Sequence, residues 1–74
     1  MRIYGYESRE DSSNLLGLVE TSFKASPKEL RTIAQFFSEV AELMEEHGDD
    51  FGHEHLRDRF PDVGGAMADI VIVR

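Results

Sequence analysis

The sequence predicts an α+β fold: a small antiparallel or mixed sheet of three to four strands, ordered ββαβ or ββαββ, packed on one long amphipathic helix. Three observations predict it. Two runs before residue 26 alternate apolar and polar side chains, residues 26–48 repeat apolar positions at spacings of three and four, and residues 68–73 form a continuous β-branched run. A chain of 74 residues allows one domain over residues 1–74 and no second core.

Met1 to Glu7 alternates Ile3 on one face with Tyr4 and Tyr6 on the other, which reads as a strand. Ser8 to Asn14 is polar and rich in turn formers, so a loop is expected there. Alternation resumes from Leu15 to Ala25, with Val19, Thr21 and Phe23 sharing a face. The two runs suit an antiparallel hairpin with a loop longer than the tightest kind.

Ser26-Pro27-Lys28-Glu29 has the chemistry of a helix start: a hydroxyl N-cap, proline at the first helical position and glutamate three after the cap. Leu30, Ile33, Phe37, Val40 and Met44 follow on one stripe, with Ala34 and Ala41 beside them. Phe36 and Leu43 widen the stripe, which is expected to be a core element. Gly48 supplies the residue that closes a helix in the left-handed region. Such a helix is about 33 Å long, longer than so small a sheet covers, so its C-terminal end is expected to project.

Asp49 to Arg59 fits two patterns. As a strand it aligns Phe51, His53 and His55; as a helix it aligns His53, Leu56 and Phe60. The strand reading is preferred. Pro61-Asp62-Val63-Gly64-Gly65 reads as a turn. Ala68 to Val73 reads as a well-buried strand. A right-handed crossover through the helix would set a later strand beside the first.

Charge and composition narrow the function. Fifteen acidic residues against eight basic ones give a net charge of −7. Such a chain is repelled by nucleic-acid phosphates and by anionic lipid, so neither is expected as a partner. There is no cysteine, and no apolar run long enough for a signal peptide or a membrane span. A cytoplasmic location is therefore expected.

Catalytic chemistry has little to work with. No glycine-rich phosphate loop follows a strand, and no serine sits in a nucleophile elbow. His53 and His55 are the candidate metal ligands, since i and i+2 side chains on a strand point the same way. His47, Asp49, Asp50 or Asp58 would have to complete such a site. The spacing matches no zinc motif, and half-buried histidines bonded to backbone or carboxylate are the commoner arrangement. No metal, no cofactor and no enzymatic activity are expected.

The outer face of the helix carries Lys28, Arg31, Gln35, Glu39, Glu42 and Glu46, and Glu45, Asp49 and Asp50 extend its acidic end. No Lys or Arg occurs between Thr32 and Leu56. Acids at a helix C-terminus oppose its dipole, and Glu42 and Glu46 repel one another. One reading is a merely solvated face. The other is a negative ridge that docks a basic protein surface through Glu39, Glu42, Glu45, Glu46, Asp49 and Asp50.

Several segments, in order and spacing, resemble one family. They are Ile3-Tyr4-Gly5-Tyr6, Phe23-Lys24-Ala25-Ser26-Pro27-Lys28-Glu29-Leu30, Phe51-Gly52-His53-Glu54-His55-Leu56-Arg57-Asp58 and Asp69-Ile70-Val71-Ile72-Val73. The family is the small bacterial immunity proteins called immunity protein 32, from polymorphic toxin systems. The resemblance implies an α+β protein that binds a cognate toxin domain inside the producing cell and blocks it. It carries over no catalytic residue and no ligand for the His-x-His segment. Two alternatives stand beside it: a structural or regulatory module that homodimerises through an edge strand or the projecting helix, and a small metal-dependent enzyme using His53 and His55.

Overall fold

The structure is a computed structural model and describes residues 1–8, 10, 14–65 and 67–74. Its dominant element is helix α1, Pro27–His47. Both halves of the capping box form: the Glu29 amide donates to the Ser26 hydroxyl at 3.2 Å, and the Ser26 amide donates to Glu29 Oε1 at 2.8 Å. Gly48, with φ of 52°, ends the helix and donates its amide to the Met44 carbonyl. Start and stop are where the local chemistry predicts them.

The buried face of α1 is only part of the expected stripe, shifted toward Phe36 and Leu43. Ile33, Phe36 and Val40 are buried with Phe51 and Leu56, and Leu43, Phe60, Met67, Ile70 and Ile72 pack around them. Leu30, Phe37 and Met44, expected in the core, keep 47 %, 43 % and 37 % of their surface exposed. The reason is the small size of what covers the helix. A short C-terminal assembly seats on the side centred on Phe36 and Val40, which rotates the neighbouring apolar positions out to solvent.

The strands form two separate two-stranded antiparallel sheets rather than one of three or four. Strand β1 (Ile3–Gly5) pairs with β2 (Leu16–Leu18), placing Ile3 opposite Leu18 and Gly5 opposite Leu16. The expected loop over Ser8–Asn14 falls partly on Arg9 and Asp11–Ser13, outside the described residues. The second run yields a strand of only three residues, and Val19 to Ala25 has no regular structure. None of the side chains of β1 and β2 is in the core cluster.

Strand β3 (His53–His55) pairs with β4 (Val71–Val73), so among the described residues no later strand lies beside β1, contrary to the expected crossover. Asp49 to Arg59 is divided between strand and helix, and neither expected face forms whole. A 3-10 turn at Gly48–Asp50 precedes β3, and helix α2 (Leu56–Arg59) follows it. The Pro61–Gly65 segment, expected to be a turn, holds helix α3 (Pro61–Gly64), which starts on its proline. The closing strand is shorter than expected and only half covered: Ile70 and Ile72 are partly buried, while Val71 and Val73 are exposed. A sheet covered on one face alternates in this way.

Helices α2 and α3 meet backbone to backbone. A Cβ at Gly64 would lie 2.7 Å from Arg57 Cα and 2.8 Å from Arg57 N, so only glycine fits. Gly64→Ala should therefore separate the two helices and lower the melting temperature in a calorimetric scan. Leu56→Ala removes a side chain with 0 % exposure and should cost about 2–5 kcal/mol, read by urea unfolding. That is a large share of the total stability of a chain this size.

Candidate functional site

The acidic face of α1 assembles, but not as a uniform ridge. Glu39 is engaged: Arg59 Nη2 on α2 donates to its Oε1 at 2.9 Å, and Arg59 Nη1 lies 3.9 Å from Glu54 on β3. The Arg59 hydrogen bond holds the Glu39 carboxyl below its ordinary range. Asp49 is engaged by Arg74, whose Nη1 donates to its carbonyl at 3.0 Å and whose Nη2 meets its carboxylate. Glu42, Glu45, Glu46 and Asp50 remain exposed, and none has an ion-pair partner among the described residues. The gap in basic residues along the sequence is thus closed through space at two positions. Glu42, Glu45 and Glu46 near the C-terminal end of α1, and Asp50 in the turn beyond it, are left without an ion-pair partner among the described residues, and the helix dipole opposes the three glutamates.

The histidine segment folds into a clasp. His53 and His55 stand opposite Val73 and Val71 across the β3–β4 ladder, with their rings edge to face at 5.2 Å. Phe51, expected on the same face, is buried in the core instead, because the 3-10 turn before β3 redirects it. His55 Nδ1 donates to Asp69 Oδ2 at 2.6 Å. Arg57 adds its backbone amide at 3.4 Å from Asp69 Oδ1 and its Nε at 3.3 Å from Oδ2. The Leu56 amide bonds to the Ile70 carbonyl at 2.8 Å. Asp69 thereby satisfies an amide in the first turn of α2 from outside that helix.

Among the described residues no three His, Asp or Glu side chains gather in metal-binding geometry. His47, Asp49, Asp50 and Asp58 do not complete a site with His53 and His55. One carboxylate, Asp69, takes up His55 instead.

Asp69, Arg59 and Arg74 are the functional-face and clasp residues that sequence reasoning missed. Asp69 carried a readable signal, since a carboxylate inside an apolar, β-branched run needs a buried partner. Nothing local marks Arg59 or Arg74, whose acidic partners lie 20 and 25 residues away.

Burial pushes the Asp69 carboxyl up, but the His55 hydrogen bond, the Arg57 amide and the Arg57 charge outweigh it, and the net shift is downward from 3.8. A depressed folded-state value contributes stability above the unfolded value and loses it as pH falls through the folded one. The clasp should therefore persist at neutral pH, begin to weaken as pH falls below about 4, and be lost only as pH falls through the lower folded-state value. Asp69→Asn should lower the neutral-pH melting temperature and flatten its acid-side decline, read by circular dichroism across pH.

No curated protein and no solved structure matches the chain. The immunity protein 32 family model matches residues 20–74, which takes in α1, the acidic face and the Asp69 clasp and leaves the β1–β2 hairpin outside. The chain belongs to the immunity protein 32 family.

Proposed function

We propose that this protein neutralises a cognate toxin domain by direct, non-catalytic binding, in the cytoplasm of the bacterium that makes the toxin. The family supports a protein partner at the coarse level. The observation that carries the docking site is the uncompensated acidic cluster Glu42, Glu45, Glu46 and Asp50 at the C-terminal end of α1. Glu39 and Asp49 frame it as already paired neighbours. The 21-residue helix α1 carries the three glutamates and the turn after it carries Asp50, an arrangement that suits electrostatic steering of a basic surface. A toxin that acts on nucleic acid has such a surface in its substrate cleft.

The cluster lies apart from the core, so charge can be changed there without unfolding the chain. Co-purification with the product of a neighbouring toxin gene, followed by stopped-flow association, tests the reading. The variant carrying Glu42→Lys and Glu46→Lys should associate about tenfold more slowly, with a shallower salt dependence. Association at the wild-type rate and salt slope would remove the acidic face from the interface.

A further inference from the structure

The apolar face of α1 that folding leaves uncovered has a pattern of its own. Leu30, Ala34, Phe37, Ala41 and Met44 follow one another at spacings of four, three, four and three, and all five are exposed. That is the spacing of a coiled-coil seam, and it lies beside the buried Ile33–Phe36–Val40 face rather than on it. The Phe37 ring is backed by Phe36, with centroids 6.0 Å apart, so the seam rests on the core.

We propose that α1 pairs antiparallel with α1 of a second copy of this chain along this seam. Three features select a second copy over other occupants. The first is steric. Large side chains at 30, 37 and 44 alternate with alanines at 34 and 41, so the bulky groups of one copy seat over the alanines of the other.

The second is charge. Along the solvent edge of the seam stand Arg31, Ser38 and Glu45, two heptads end to end with opposite signs at the extremes. Antiparallel pairing brings each Arg31 to the partner's Glu45, whereas parallel pairing would set like beside like. Neither residue has an ion-pair partner within the chain among the described residues. A twofold axis uses the same patch on both copies, and this patch is complementary to its own reversal.

The third is area. The chain exposes 6062 Å² for a mass of 8.4 kDa, whereas a monomer of that mass exposes about 4,600 Å². The excess of roughly 1,400 Å² leaves room for the ~800 Å² per partner of a standard interface, even with the hairpin contributing part of it. The Cα radius of gyration of 13.0 Å agrees, since about 11 Å is usual at this length.

Sedimentation velocity of the full chain, from low to high micromolar concentration, tests the pairing. A concentration-dependent shift from monomer to dimer is expected. Ala41→Glu, at an exposed position, should keep the far-ultraviolet circular dichroism of the wild type and remain monomeric throughout. Arg31→Glu and Glu45→Arg should each weaken the dimer about fivefold to tenfold, because symmetry repeats the contact. The double variant R31E/E45R should restore it. A chain that stays monomeric at every concentration would overturn the proposal, leaving the seam to the toxin or to solvent. So would an A41E variant that dimerises normally, or a double variant weaker than both singles. Glu42 and Glu46 take no part in this test, so its failure and the failure of the toxin-docking reading are distinguishable.

Discussion

Leu56 is the residue on which the rest of the structure depends. It is fully buried in the cluster with Ile33, Phe36, Val40 and Phe51, and it stands at the junction where β3 becomes α2. Its amide is bonded to the Ile70 carbonyl, and the next residue, Arg57, is held by Asp69. Leu56 thus seats the C-terminal assembly against α1, and Asp69 ties β3 and α2 to the stretch before β4 within that assembly. Apolar burial supplies the non-directional attraction, and the Asp69 bonds supply the direction that a cluster this small lacks.

Because that assembly is small, it covers only one side of a long helix. The consequences reach the surface. Arg59, carried on α2, arrives beside Glu39, and Arg74, just beyond β4, arrives beside Asp49. The same seating leaves Glu42, Glu45, Glu46 and Asp50 without an ion-pair partner among the described residues and leaves Leu30, Phe37 and Met44 exposed. The acidic face and the apolar seam are therefore two results of one packing geometry. Both point outward from an element whose inner face is already committed.

The β1–β2 hairpin stands in contrast. Its strands are three residues each, its apolar side chains lie outside the core, and a lone two-stranded hairpin is marginal in water. It also precedes the stretch that the family model matches. The matched stretch takes in the helix and the clasp that seats on it, and the unpaired charges lie there too.

Read alone, the sequence determined the elements whose causes are local. The capping box at Ser26, the glycine stop at Gly48 and the three-and-four spacing between them define α1, because each acts within a turn or two of chain. Alternation announced β1 but not the extent of β2, since Val19 to Ala25 holds no strand, and the acidic C-terminal end of α1 was legible residue by residue. Tertiary structure decided the rest. Which third of the apolar stripe is buried depends on the width of the covering layer. Whether Glu39 and Asp49 are free depends on arginines 20 and 25 residues away. That β3 pairs with β4, and that Asp69 meets His55, follow from how the segments around Leu56 pack. No periodicity along the chain encodes those distances, since they are set by which surfaces the folded chain brings together.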